Sequence, residues 1–232
     1  MDLFLSFKNP VLGVLAGAEW SMGREARSKY GEPSAPDTAD GMTMGASVQW
    51  YCLEADAPTA FPDIEWGLPI DERSVQIVRR GQWYWEVGMR DDQIADAEKI
   101  RDYGMYVAYS TFSYCKNRYS KKEDWTCTHL VWVSHVSGKR ESRRVVGDYI
   151  LREQDLTRPI RHEDETCTTT WRIDQHYPME KNSQQYPGAE WLSEGVLTPI
   201  DFYALPYRCF YSKDVRNMFM AGRNISVTHI AL

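Results

Sequence analysis

The clearest periodic pattern lies in the middle of the chain. Apolar and small residues recur at helical spacing in DQIADAEKIRDYGMYVAYSTFSYCKN, which begins at Asp92. Ile100, Val107 and Ala108 fall on one face of such a helix. Asp91 and Asp92 stand at its start, where a carboxylate caps backbone N–H groups and complements the helix dipole. The pattern predicts one long helix with a buried face.

Strand patterns lie on both sides of this helix. The apolar run 43–53 and the aromatic run 81–89 predict buried strands. Residues 128–136 alternate in strand fashion, and 144–151 predict a second strand that forms a hairpin with them across the turn-like SGKRES. A short helix is expected within 11–29. These elements predict an α/β (α+β) fold in which a mixed or antiparallel sheet packs against helices.

Composition narrows the class of protein. The 232 residues are 43% hydrophobic, enough for a buried core, and the net charge of -6 disfavours nucleic acid or an anionic membrane as partner. A small-molecule substrate is the better expectation, and the oligomeric state is left open. No apolar run approaches the roughly 20 residues of a membrane span. The five cysteines lack a C-x-x-C pair, which indicates reduced thiols and a cytoplasmic protein, unless an export signal precedes the sequence.

The string GKRESRR is a candidate anion site. It places Lys139, Arg140, Arg143 and Arg144 around Glu141. Such a cluster can bind a carboxylate, a phosphate or a negatively charged reduced flavin. We predict that Arg140, Arg143 and Arg144 bind substrate. The alternative is a solvated basic turn in which Glu141 pairs locally.

The string WRIDQHYP is the candidate catalytic segment. Asp174 and His176 are two residues apart, so a strand would place both side chains on one face. A histidine beside a carboxylate can remove the proton of an alcohol while hydride leaves the carbon. The alternative is a structural histidine. The other histidines and the cysteines lack the spacing of a zinc site, so no metal is predicted.

A third candidate lies in FMAGRNIS. An apolar strand leads to a sharp turn at Gly222, and backbone amides beyond such a turn can bind phosphate. Arg223 adds positive charge, and Asn224 and Ser226 add hydrogen-bonding groups. The alternative is an ordinary turn at the end of a strand.

Nine Trp and fourteen Tyr are numerous for this length. Trp83 and Trp85 would share one face of a strand, where they could stack on sugar rings. This is the basis of an alternative function, a noncatalytic carbohydrate-binding or interaction domain with an aromatic surface. The plain alternative is that both rings belong to the core.

Five strings in order along the chain resemble the FAD-dependent oxidoreductase family of bacterial flavoproteins, which have a glutathione-reductase-like FAD fold. They are LAGAEWSMGREA, DAEKIRD, GKRESRRVVGDYIL, WRIDQHYP and LPYRCFYSKDVRNMFMAGRNISVTHIAL. The resemblance implies an enzyme that binds FAD and acts by hydride transfer on a small organic substrate. A sugar or sugar acid is suggested because such proteins are often encoded beside carbohydrate-degrading enzymes. Gly222, Arg223, Asn224 and Ser226 would then form the second FAD contact.

The sequence departs from the family in two places. It has no G-x-G-x-x-G turn for the FAD pyrophosphate, and FLSFKNP stands where an acidic, glycine-containing turn is usual. We therefore expect a fragment truncated at both ends: 1–40 a remnant of the FAD-binding domain, 41–200 the substrate domain, and 201–232 an incomplete return to the FAD-binding domain. Such a chain should bind FAD poorly or not at all, which makes its activity alone doubtful. A fragmentary gene product with no independent function is a third hypothesis.

Overall fold

The computed structural model describes residues 4–7, 11–82, 84–158 and 160–232. The strands are β1 (Phe4–Phe7), β2 (Trp20–Ser21), β3 (Ala46–Ser47), β4 (Trp50–Glu54), β5 (Glu86–Val87), β6 (Thr128–Val133), β7 (Arg144–Val145), β8 (Glu165–Thr169), β9 (Ile173–Pro178), β10 (Ser193–Thr198), β11 (Tyr203–Pro206) and β12 (Met218–Ala221). The α-helices are α1 (Val11–Leu15), α2 (Arg27–Tyr30), α3 (Ala97–Asn117), α4 (Glu153–Thr157) and α5 (Glu180–Gln185). Two 3-10 helices span Lys122–Trp125 and Tyr207–Cys209.

The chain divides into two compact units. Unit 1 contains Met1–Met44, Arg140–His176 and Gly195–Leu232, and unit 2 contains Gly45–Lys139 and Tyr177–Glu194. Helices and antiparallel strands occur together, which confirms the predicted mixed α/β class.

Unit 1 is built from short pairings of distant segments. β1 runs parallel to β12, β2 pairs antiparallel with β7, and β8 pairs antiparallel with β11. β9 and β10 also pair with each other, and unit 1 holds residues 173–176 and 195–198 of them. Two apolar clusters fill this unit because each strand brings one face inward. Their fully buried members include Leu151, Cys209, Val145 and Met218.

Unit 2 packs strands against the long helix α3. β4 pairs antiparallel with β6, and β3 with β5. The buried side of α3 contains Ile100, Val107, Ala108 and Phe112, which pack in the apolar cluster of the unit. The predicted helix and its apolar face are therefore confirmed.

The start of α3 differs from the prediction. Asp92 Oδ1 accepts the backbone N–H groups of Ile94 and Ala95, but the helix itself begins later, at Ala97, with no side-chain cap. Asp92 thus closes a turn that precedes the helix. A capping pattern in sequence identifies a turn of exposed N–H groups and cannot by itself say whether the helix starts there.

The predicted hairpin of 128–136 with 144–151 is wrong. β6 pairs with β4 in unit 2, whereas β7 pairs with β2 in unit 1. Burial explains the choice of partner. β4 brings the buried side chain of Trp50 to β6, while Val145 of β7 packs with Met218 and Met220 of β12. Adjacent strands in sequence usually pair, but here the two belong to different cores.

Other segments differ in extent. Among the described residues of the aromatic run 81–89, strand structure is confined to the two-residue β5. Residues 140–176 lie in unit 1 with both chain ends, not with residues 45–139. Which unit serves cofactor or substrate stays a prediction. Within the part of the chain that is described, no helix combines the length and apolar character needed to cross a membrane.

Candidate functional site

A buried ion network occupies the centre of unit 1. Arg144 is 1% exposed and donates four hydrogen bonds, to the carboxylates of Glu141 and Glu25 and to the carbonyls of Gly23 and Val227. These partners come from three parts of the sequence. Arg144 therefore joins segments that are distant in the chain, and its guanidinium offsets two buried carboxylates.

His229 completes the network. Its Nδ1 lies 3.0 Å from the Glu141 carboxylate, and its backbone N–H donates to Glu25 at 3.0 Å. The Met44 N–H also donates to Glu141, at 2.8 Å. Burial would raise the pKa of Glu25, but the charge of Arg144 and hydrogen bonds from His229 and Arg144 outweigh it and lower the pKa. Glu25 is therefore ionised and forms part of the structural core of the unit.

The prediction that Arg144 binds substrate is corrected by this arrangement. A ligand cannot reach a side chain that is 1% exposed and already bonded to two carboxylates and two carbonyls. The other arginines of GKRESRR point elsewhere. Arg143 lies over the ring of Trp20, 4.7 Å from its centroid, and Arg140 contacts His176. Of the three, Arg140 lies in the candidate catalytic cluster.

That cluster brings together Arg140, Asp174, His176 and Arg223. Asp174 and His176 share a face of β9, as predicted, with Asp174 Oδ1 3.2 Å from His176 Nε2. Arg140 contacts both ring nitrogens: its Nη1 lies 3.2 Å from Nδ1 and its Nη2 lies 3.4 Å from Nε2. His176 is 4% exposed.

The contacts favour one tautomer of the imidazole. A carboxylate only accepts hydrogen bonds, so a proton on Nε2 can be donated to Asp174. In that tautomer Nδ1 holds the lone pair and faces Nη1 of Arg140. His176 therefore lies between a carboxylate that can orient it and a guanidinium that covers both of its nitrogens.

Charge around the ring keeps it neutral. Burial lowers the pKa of His176, and the nearby charges of Arg140 and Arg223 lower it further, against the opposing effect of Asp174. Burial, with the charge of Arg223, also lowers the pKa of Arg140 to about 10. Near neutral pH the cluster therefore contains two cations, one carboxylate and a neutral imidazole that can take a proton.

The turn after β12 lies at the surface. Gly222 has φ +90°, a left-handed conformation that glycine adopts without strain, and no atom lies within 4 Å of where a Cβ would stand. Arg223 is solvent-accessible, whereas Asn224 and Ser226 are buried. The backbone N–H of Ser226 donates to the Cys209 carbonyl. Of the four candidate residues, all of them described, Gly222 and Arg223 are therefore the accessible pair.

A comparison with family models gives one match: the model of FAD dependent oxidoreductases covers residues 9–232. The chain belongs to this family. Neither the curated proteins nor the solved structures contain a significant match. Since FAD is the cofactor of the family, the open turn can be tested against it.

The turn fits one contact with the FAD of this oxidoreductase family. Gly222 would let the cofactor approach the backbone, and Arg223 would supply positive charge. The Ser226 hydroxyl is buried without a hydrogen-bond partner, and Asn224 is buried as well, so neither side chain reaches the surface of the turn. The predicted cofactor roles of these four residues stay predictions, and Gly222 and Arg223 are the accessible pair.

The aromatic platform is not supported by its described member. Trp85 is 2% exposed and packs between Trp50 and Trp191, with ring centroids 3.8 and 4.8 Å away. It belongs to the core of unit 2, so replacing it would destabilise the fold and would not test an aromatic binding surface. Trp83 lies outside the described residues.

Three residues that take part in the Arg144 network were not among the predicted site residues: Glu25, His229 and Met44. Glu25 and His229 lie within strings that carry the family resemblance, so a signal was present. Their roles depend on contacts between residues that lie 88 to 204 positions apart in the sequence, which no local pattern encodes.

Proposed function

We propose that this chain carries the proton-accepting group of an FAD-dependent oxidoreductase that oxidises or reduces a small organic substrate by hydride transfer. His176 is the base in the oxidative direction, and Asp174 is the residue that orients it. The proposal rests mainly on one observation: a neutral, buried imidazole held by a carboxylate at 3.2 Å.

The residues act as follows. The hydroxyl proton of the substrate passes to Nδ1 of His176, and Asp174 stabilises the imidazolium that forms at the other nitrogen. The chemistry that FAD supplies when bound is acceptance of the hydride from the adjacent carbon. The alcohol would thereby become a carbonyl, having given its hydroxyl proton to His176 and its C–H hydride to the cofactor. A sugar or sugar-acid substrate remains a proposal from the family resemblance.

The test is oxidation of a panel of alcohols, sugars and hydroxy acids by the purified chain with excess FAD and a dye acceptor. His176→Asn should lower kcat by about 10² to 10⁴, the range for loss of a general base. Asp174→Asn should lower kcat less, and it should shift the acidic limb of kcat/KM to lower pH because Asp174 raises the pKa of His176. The exposed His135 gives a matched control, His135→Asn, which should leave both parameters unchanged. Equal effects of the His135 and His176 variants would refute the role of His176.

FAD retention is a separate measurement. The sequence has no G-x-G-x-x-G turn, and each charge-assisted hydrogen bond to a phosphate contributes about 1.5 to 3 kcal/mol. We therefore expect the chain to lose most of its FAD on desalting, measured by flavin absorbance. A stoichiometric yellow complex after desalting would contradict this expectation.

A further inference from the structure

We propose that Arg140 and Arg223 bind the carboxylate of a small hydroxy acid, and that this carboxylate draws the Arg140 guanidinium away from His176 and so exposes the basic nitrogen to the substrate hydroxyl. The inference rests on the proposed function for the role of His176. It adds the class of substrate and a coupling between substrate binding and base activation.

The contact of Arg140 with His176 is the first reason. Nη1 of Arg140 is 3.2 Å from Nδ1 and its Nη2 is 3.4 Å from Nε2, so whichever nitrogen carries the lone pair has a guanidinium donor beside it. A guanidinium only donates hydrogen bonds, so while this contact is present the imidazole lone pair accepts from Arg140 and is not available to the substrate. His176 is also 4% exposed, so an alcohol cannot approach Nδ1 while Arg140 stays in place. The base must be uncovered before it can act.

Arg223 is the second reason. Its guanidinium donates to the Met44 thioether at 3.1 Å, a weak acceptor, and it forms no ion pair with any residue that the structure describes. Desolvation lowers its pKa, and its charge acts on Arg140. Arg223 is exposed and Arg140 is half-buried, so a ligand can approach them from solvent. Two guanidiniums that repel each other favour an anion, and their planar forks match the two oxygens of a carboxylate.

The adjacency of Arg140 and His176 indicates the kind of substrate. Because the two side chains are in contact, one small molecule that carries both a carboxylate and a hydroxyl can reach the arginine and the imidazole together. A hydroxy acid such as glycolate meets this condition. A neutral alcohol would leave Arg140 on the imidazole, which makes the arginine a positioning residue that discriminates by charge.

The experiment follows the imidazole of His176 in the purified chain by NMR, with its signals assigned by their loss in His176→Asn. The pKa of His176 is measured alone and with glycolate, acetate, ethylene glycol or inorganic pyrophosphate. Saturating glycolate or acetate should raise the pKa by about one unit or more, because a cation leaves the ring and an anion arrives. Ethylene glycol should produce no shift.

Three variants separate the contributions. Arg140→Gln should raise the pKa of His176 without ligand and abolish the further shift with glycolate. Arg140→Lys keeps the positive charge but lacks the two parallel N–H donors of a guanidinium, so it should weaken glycolate binding by about tenfold. This conservative variant keeps the proposal testable if Arg140→Gln does not fold. Arg223→Gln should weaken binding by about tenfold and keep the shift at saturation. Arg143→Gln is the matched control from the same segment and should change neither quantity.

Several outcomes would overturn the proposal. The first is a His176 pKa that does not change when glycolate is added, and the second is an Arg143 variant with the same effect as the Arg140 variant. The third is a pKa shift produced by pyrophosphate but not by glycolate or acetate, which would assign the arginines to a dinucleotide phosphate. These readouts need neither FAD nor turnover. A glycolate-dependent shift with no oxidation of any alcohol would refute the proposed function only. Oxidation of neutral alcohols at a rate that Arg140→Gln leaves unchanged would refute the carboxylate site only.

Discussion

Replacement of Arg144 by leucine tests whether the buried ion network holds unit 1 together. The variant removes four hydrogen bonds and leaves Glu141 and Glu25 buried without their cation. Breaking a buried pair in this way costs about 3 to 5 kcal/mol, a large share of the roughly 5 to 15 kcal/mol that stabilises a domain. We therefore expect the free energy of unfolding in urea at pH 7 to fall by about 4 kcal/mol.

The pH dependence shows the cause of the loss. Without Arg144 the pKa of Glu25 rises in the folded protein because the charge that lowered it is gone, so the deficit should shrink as pH falls and the carboxylate takes up a proton. A deficit caused by a cavity alone would not change with pH. The double variant Arg144→Leu/Glu141→Leu should recover part of the loss at pH 7, since it removes one of the stranded charges.

The control is Arg143→Leu. Arg143 adjoins Arg144 in sequence but lies over the Trp20 ring, a contact worth about 0.5 to 1 kcal/mol at an exposed site. A loss below about 1 kcal/mol for Arg144→Leu, or a loss equal at pH 5 and pH 7, would refute the reasoning.

Three further predictions concern stability. Burial and two neighbouring carboxylates raise the pKa of Glu32 above 4.5, so its contribution to stability is present below that pH and is lost as pH rises through the folded-state pKa. Glu32→Gln should therefore make the melting temperature vary less with pH between pH 5 and 8, and the same pH dependence as the unchanged protein would contradict this. In urea unfolding, Gly222→Ala should lower the free energy of unfolding by about 1 kcal/mol because of its positive φ alone. Gly23→Ala should lower it clearly more, because its Cβ would also collide with the backbone carbonyl of Asp40, and equal losses would contradict this. Trp85→Ala should cost about 3 to 5 kcal/mol and the exposed Trp171→Ala under about 0.5 kcal/mol, and comparable losses would contradict the core assignment.

The local patterns predicted part of the fold correctly. The periodicity around Ile100 and Val107 identified α3, and the spacing of Asp174 and His176 placed them on one face of β9. Both depend on backbone geometry that repeats over a few residues. The predicted hairpin failed because strand partners depend on which core a strand joins.

The sequence by itself determined the family, the mixed α/β class, the long helix and the residue types of the candidate site. Only the tertiary structure decided which arginine reaches His176. Three arginines of GKRESRR look alike in sequence, yet Arg144 is buried on two carboxylates, Arg143 covers a tryptophan and Arg140 meets the imidazole. Such assignments follow from contacts between segments far apart in the chain, where desolvation and the positions of partner charges decide what each guanidinium can bind.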